Sequence, residues 1–282
     1  MYTNLGFIWS MFPALVPQFL QQLPSIIKAG PVDDAERNGL LVKKIGSTAL
    51  VEMRGPMLKN AGWLIRYGFA GSMETAQALL SAANDDEVQS ITWVIDSAGG
   101  SVDGLDELYR TAKKVNSEKP ITVQVDGMLA SAALYVASAA DSIYANRRDL
   151  IGSIGARMMI YDYSEMFKEA GIKAIPIDTG EFKSAGAMGT EITEAQIADF
   201  QRIVNGYFGD FKAAVLEGRP ISSKDFESIA DGRIFFANEE PASYGLVDGI
   251  RSTKEAYEDI LKMGDNQAAR RKARARMSLL NF

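Results

Sequence analysis

From about Gly46 onward, short runs of β-branched and apolar residues alternate with segments whose apolar positions recur every three or four residues. Thr48–Met53 predicts a strand, and Met73–Ala83 a helix with Ala76, Leu79, Leu80 and Ala83 on one face. Ser90–Ile95 is a nearly continuous apolar run of the kind found in strands covered on both faces. Leu105–Val115 predicts an amphipathic helix, Ile121–Val125 a strand, and Ser131–Ala139 a helix of small residues. Ser142–Ala145, Arg157–Tyr161 and Lys173–Ile177 read as strands and Ser164–Ala170 as a helix. Long helical periodicity returns from Glu194 to about Leu216, with Ile197, Phe200, Ile203, Val204, Phe208 and Phe211 at helix spacing. Strands alternating with helices imply an α/β fold of βαβ units with a mostly parallel sheet and right-handed crossovers.

Both ends depart from this pattern. Between Met1 and Pro31 the only charged side chain is Lys28. No basic residue precedes the apolar run, as a signal peptide would require. Pro13, Pro17 and Pro24, with Gln18, Gln21 and Gln22, interrupt it before the roughly 20 apolar residues of a spanning helix accumulate. Residues 1–38 are therefore expected to form an apolar arm that docks on the protein itself, a neighbouring subunit or a partner, and no membrane partner is expected. Residues 251–282 read as a C-terminal helix and tail. Within it ARRKARAR at Ala269–Arg276 reads as a solvated tail, with a docking arm for an acidic partner as the sharper alternative. The span between, residues 39–250, is expected to be the functional domain.

Composition then narrows the chemistry. The chain has no histidine and no cysteine, which excludes a Ser-His-Asp triad, Cys-His catalysis and His- or Cys-ligated metal sites. No metal or cofactor is expected. A net charge of −6 gives no global reason to expect a nucleic-acid partner. Any covalent acyl transfer must take its base from a lysine, a carboxylate, a tyrosine or the chain's own amine.

Three stretches, each following a predicted strand, could carry such chemistry. In Asp96-Ser97-Ala98-Gly99-Gly100-Ser101 two glycines let the backbone turn with its N–H groups exposed, as an oxyanion hole needs. Taken alone, an ordinary glycine turn is the simpler reading. In Gly127-Met128-Leu129-Ala130-Ser131-Ala132-Ala133 a serine opens a helix of small residues, where the helix N-terminus favours developing negative charge. An N-cap or a close-packing serine explains it equally. In Thr179-Gly180-Glu181-Phe182-Lys183-Ser184-Ala185-Gly186 a lysine stands among small and apolar residues. A free lysine, with a pKa of about 10.4, is no base near neutrality, but burial lowers that value. A surface lysine is the blander reading in a chain with 30 Lys and Arg.

As an ordered set these stretches are more specific. Over roughly Gly39 to Ile250 the chain resembles the signal peptide peptidase A family and its phage relatives, the head-maturation (prohead) proteases. These share the ClpP/crotonase-like fold of repeated ββα units. The family's D/N-S-P-G-G stretch is matched by Asp96-Ser97-Ala98-Gly99-Gly100, and its A-S-A/G motif by Ala130-Ser131-Ala132. Its G-x-x-K-S/D-A/M-G stretch is matched by Gly180 to Gly186, and the interval from Ser131 to Lys183 is 52 residues. Ile151-Gly152-Ser153-Ile154-Gly155, and Gly232-Arg233-Ile234-Phe235 leading to Gly245-Leu246-Val247-Asp248, add weaker matches. Ala98 stands where the family usually has proline, which leaves the turn less rigid.

The resemblance implies a serine endopeptidase with Ser131 as nucleophile and Lys183 as base. The oxyanion would be held by the N–H of Gly100 (or Gly99) and that of Ala132, with Ser153 orienting the lysine. It implies peptide substrates and self-assembly into a homo-oligomer. The absence of a spanning segment and the proline-broken apolar arm favour the phage type, acting in the host cytoplasm or procapsid interior on scaffold, portal or coat proteins. A bacterial signal peptide peptidase at the membrane, an acyl-CoA enzyme of the crotonase type and a catalytically inert scaffolding homologue are the alternatives. Ser138, two helical turns beyond Ser131, reads as packing, and Ser184 as a loop residue.

Overall fold

The computed structural model describes residues 41–261. The apolar arm and the basic tail lie outside the described residues. The chain divides into two compact units, one comprising residues 156–210 and the other the described residues on either side of it.

The larger unit opens with β1 (Val42–Ile45), β2 (Thr48–Arg54) and the short β3 (Met57–Leu58) and β4 (Ala70–Gly71). Next come α1 (Ser72–Asn84), β5 (Ser90–Ser97), α2 (Leu105–Glu118) and β6 (Ile121–Ala130). The helix α3 (Ala132–Ala137), β7 (Ser142–Ala145) and β8 (Leu150–Gly152) come after them. The main sheet runs β1-β2-β5-β6-β7, with β8 also pairing β6. β2, β5, β6, β7 and β8 pair in parallel, and β1 against β2 is antiparallel. The expected α/β architecture with a mostly parallel sheet is thus present.

β5 lies between β2 and β6, and its apolar run reflects that place. Trp93, Val94 and Ile95 are fully buried, as are Val51 and Met53 on β2 and Val123 and Val125 on β6. On α1 the buried stripe is Thr75, Ala76, Ala78, Leu79 and Ala82. Leu80, expected on that face, is instead 38% exposed. The C-terminal part of this unit contributes α6 (Ser223–Ile229), β9 (Ile234–Phe236), α7 (Glu240–Ser243) and β10 (Gly249–Ile250). β9 runs antiparallel to β8, and β10 parallel to β7. Residues 253–261 are helical and seat Ile260 on Leu50 and Val94, with Ile45 and Tyr257 packed around them.

The smaller unit holds α4 (Ser164–Glu169) and the first part of α5 (Glu194–Gly218), the helix whose remainder, from Phe211, belongs to the larger unit. Here two expectations fail. Neither Arg157–Tyr161 nor Lys173–Ile177 is a strand. Alternation and β-branching prepare a segment for a sheet, but a strand exists only where another strand pairs its backbone groups. Neither segment has one. Consequently Lys183 does not follow a strand; it sits in a run of turns, with its N–H donating to Gly180 O at 3.1 Å.

One buried ion pair ties the larger unit together. The Arg219 side chain, 1% exposed, donates from Nη2 to Asp248 Oδ2 at 2.6 Å and from Nε to Gly245 O at 3.0 Å. The same Asp248 oxygen accepts the Ile143 N–H at 2.7 Å, holding the approach to β10 against β7. Asp248→Leu leaves the buried Arg219 guanidinium without its carboxylate and is expected to cost about 3 kcal/mol. Urea unfolding checks this, and a loss below about 0.5 kcal/mol, the range of neutral surface changes, would contradict it.

Candidate active site

Two chain crossings meet at the ends of β5 and β6. The first is the turn after β5. Ser97 Oγ donates to Gly55 O at 2.7 Å and accepts the Gly99 N–H at 3.1 Å. The turn is strapped to β3 by Met57 N–H donating to Gly99 O and Ser101 N–H to Met57 O, both at 2.9 Å. Those bonds occupy the groups on either side of Gly100. Its own N–H therefore points away from β3, and makes no hydrogen bond among the described residues. A Cβ on Gly100 would lie 2.1 Å from Met57 O, so only glycine lets the backbones come this close.

The second crossing is Ser131. It joins the end of β6 to the start of α3 with φ 52° and ψ −122°, a conformation that non-glycine residues rarely adopt and that costs of order 1–3 kcal/mol. The neighbourhood holds it there. Its N–H donates to Gly152 O at 2.8 Å, and its C=O accepts the Tyr135 N–H at 3.0 Å. Ser131 is 2% exposed. The next residue, Ala132, opens α3, so its N–H has no acceptor within the helix.

The crossings touch. Gly99 has φ +87°, and a Cβ on it would stand 2.8 Å from Ala132 N and 2.9 Å from Ser131 Cβ. The turn that presents the Gly100 amide thus lies directly against the serine and the Ala132 amide. Every residue of α3 is buried, and its Tyr135 ring packs between those of Tyr109 (5.4 Å, tilted) and Phe211 (5.6 Å, edge-on). Ser138 Oγ donates to Leu134 O at 2.8 Å, which agrees with its reading as a packing residue.

Ser153 stands one residue beyond the Gly152 carbonyl that receives the Ser131 N–H. It has φ 51° after a Gly152 at φ +123°, and its N–H donates to Arg233 O at 2.7 Å. Ser131, Gly99, Gly100, Ala132 and Ser153 therefore all belong to the larger unit. Lys183 belongs to the smaller one and is solvent-exposed. Ser184 bonds Asp178 within the same loop, as a loop residue should.

Two contributors escape a reading of the sequence alone. Ser97 straps the turn through its hydroxyl, and Gly152 anchors Ser131 through its carbonyl. Both lie in stretches that match the family's motifs, Asp96-Ser97-Ala98-Gly99-Gly100 and Ile151-Gly152-Ser153-Ile154-Gly155, but the roles of the hydroxyl and the carbonyl are set by the folded backbone. Among the described residues no group of three or more Asp and Glu is arranged to hold a metal ion.

Comparison with known proteins shows the family. The model of peptidase family S49 matches residues 113–266, more than half of the chain. A protein named as a protease in Methanocaldococcus jannaschii is 32% identical over 64% of this chain, and the match spans 58% of that relative. The capsid assembly protease C of Escherichia phage lambda is 26% identical over 55% of this chain and 35% of its own length. Among solved structures, an enoyl-CoA hydratase from Polaromonas sp. JS666 aligns over 80% of this chain and 75% of its own, with a TM-score of 0.46 and 15% identity. The family match takes in the serine crossing, the lysine loop and the long helix α5 together, and the chain belongs to peptidase family S49.

Proposed function

We propose that the chain is a serine endopeptidase working through a Ser131–Lys183 dyad. Ser131 Oγ bonds to the scissile carbonyl carbon while its proton passes to neutral Lys183 Nζ. The C–N bond then breaks, the lysine returns the proton to the leaving amine, and an acyl-serine remains. Water, deprotonated by the same lysine, attacks the ester and releases the second product with Ser131 restored.

The observation that carries this reading is the contact of the Gly99–Gly100 turn with Ser131 and Ala132. It supports a hole built from the N–H groups of Gly100 and Ala132, two donors beside one nucleophile. Because Ser97 takes the Gly99 amide, the role of Gly99 in this reading is to leave room for the approach. Ser153, next to the carbonyl that anchors Ser131, is the residue we assign to orienting the lysine.

A fluorophosphonate probe with peptide mapping, run beside hydrolysis of an unfolded protein, tests the reading. The expected adduct is on Ser131. An adduct elsewhere, or no labelling of a protein that hydrolyses its substrate, counts against it. Gly99→Ala is expected to lower kcat about 100-fold, the cost of misplacing one oxyanion donor. A kcat within threefold of the parent would show that the turn does not serve the reaction.

The finer role we infer is processing of phage head proteins by an assembled form of the enzyme. Similarity to a phage capsid assembly protease supports the first part. No helix among the described residues is long and apolar enough to cross a membrane. Assembly is supported by the smaller unit, where Met159, Met166, Ile172, Ile175 and Ile177 are 54% to 95% exposed. An apolar surface of that density is characteristic of an interface. Sedimentation velocity is expected to show a homo-oligomer. Cleavage of a shell-bound scaffold protein in preference to an apolar signal peptide in lipid vesicles would favour the phage role, and the reverse preference the membrane alternative.

A further inference from the structure

The parallel pairing of β5 and β6 is interrupted once. Ile95 lies opposite Val125, but Ser97 lies opposite Leu129. A single residue of β5, Asp96, therefore faces three of β6, Asp126 to Met128. Such a bulge takes amides out of the ladder and re-aims the chain beyond it. Beyond this one lie the Gly99–Gly100 turn, at the end of β5, and Ser131, at the end of β6.

The Asp96 side chain lies over the bulged backbone. Gly127 has φ +129°, and a Cβ there would come within 2.7 Å of Asp96 Oδ1. The Asp96 carboxylate lies against this backbone and faces the Met128 N–H. The neighbouring Gly127 N–H faces the carboxylate of Asp149, itself bonded to Asn146 N at 2.7 Å. Two amides displaced from the ladder thus each face a carboxylate. The Asp96 main chain is held on the other side, where its carbonyl accepts the Gly55 N–H at 2.8 Å. The charged groups facing Asp96 are Arg54 on β2 and Asp126 on β6. These two are bonded to each other at 2.8 Å, and Arg54 also bonds Glu52 at 3.1 Å. Burial raises the Asp96 carboxyl above the usual carboxylate range. Either protonation state leaves an oxygen able to accept from Met128.

We propose that Asp96 is a positioning residue for the peptidase reaction. By presenting its carboxylate to the Gly127–Met128 backbone across the bulge, it sets the placement of the Gly100 amide relative to Ser131 and the Ala132 amide. The inference rests on the peptidase reading above for its catalytic consequence. It assigns Asp96 no contact with substrate. The site needs from it a side-chain acceptor of this length.

Two near-isosteric variants separate acceptor from bulk: D96N keeps an oxygen at the position, and D96L does not. Fluorophosphonate titration counts competent serines, so kcat is expressed per titrated Ser131. In D96L that value is expected to fall at least tenfold with KM within twofold, while D96N stays within threefold of the parent. Amide hydrogen exchange, which needs no turnover, is read on residues 97–101 and 126–130. D96L is expected to exchange at least tenfold faster in both segments, and D96N within threefold of the parent.

A merely structural role would lower the number of titratable sites and leave kcat per site unchanged; that result overturns the proposal. So does D96N as impaired as D96L, since the acceptor would then be irrelevant. If the parent protein itself is not labelled, the peptidase reading has failed. The exchange arm still decides whether Asp96 holds the turn, and unchanged exchange at 97–101 in D96L rejects it. Should D96L not fold, D96N alone decides: a tenfold loss in kcat per site or protection overturns the inference, and parental behaviour supports it.

Discussion

Ser131→Ala is expected to abolish hydrolysis of an unfolded protein substrate, with a loss of about 10⁴-fold or more, because in the proposed mechanism no other group forms the acyl bond. The substitution removes one oxygen atom and leaves the main-chain bonds to Gly152 O and Tyr135 N in place. It should therefore spare the fold. The conformation at this position, φ 52°, is strained for alanine as it is for serine, so little stability should change hands. Turnover and urea unfolding measured on one preparation check both halves. Activity within tenfold of the parent would remove Ser131 from the nucleophile role. Unfolding at markedly lower urea would mean that the strain is relieved through the hydroxyl.

Lys183→Ala is expected to be as damaging, and Lys183→Arg hardly less so. A guanidinium retains the charge but stays protonated, so it cannot accept the serine proton. The pair of variants thus distinguishes a base from a cation that merely holds substrate. In the parent, kcat/KM should rise tenfold per pH unit on the acid side, since only a neutral amine can take the proton. A flat profile there, or an active arginine variant, would contradict the dyad. Lys183 is exposed in the single chain. In the proposed dyad the neutral amine that accepts the serine proton would be favoured by desolvation when substrate or a neighbouring subunit covers this loop. Measuring activity against protein concentration tests the second, because dilution below the assembly threshold should silence the enzyme.

Much of the larger unit is legible from periodicity. Ser90–Ile95 reads as a doubly covered strand and is the β5 that lies between two parallel neighbours, because continuous apolar runs have no other stable use in a parallel sheet. The long helix is equally plain, spanning Glu194–Gly218 where the pattern indicates Glu194 to about Leu216. The smaller unit misleads the same method. Lys173–Ile177 alternates as a half-buried strand should, yet Ile175 is 70% and Ile177 95% exposed. Period-2 alternation reports which side chains share a face. It carries no information on whether a partner strand is there to take the backbone.

For the site, the sequence by itself determined the chemistry available. A chain without histidine or cysteine leaves lysine permissible as a base, beside carboxylate, tyrosine and the chain's own amine. The ordered glycine pair, serine and lysine, through the family resemblance, single out Ser131 and Lys183 as the expected pair. Why Gly99 and Gly100 must be glycine, with φ +87° at the first and a Cβ 2.1 Å from Met57 O at the second, is a matter of the folded backbone. Only the tertiary structure decided which amides are available. The Gly99 N–H is spent on Ser97 and the Gly100 N–H is not, a distinction set by the strap to β3. The bulge opposite Asp96, the strained Ser131 and its anchor at Gly152 belong to the same category. Each depends on which strand lies beside which and in what register, and pairings between residues tens of positions apart leave no local trace in the residues that make them.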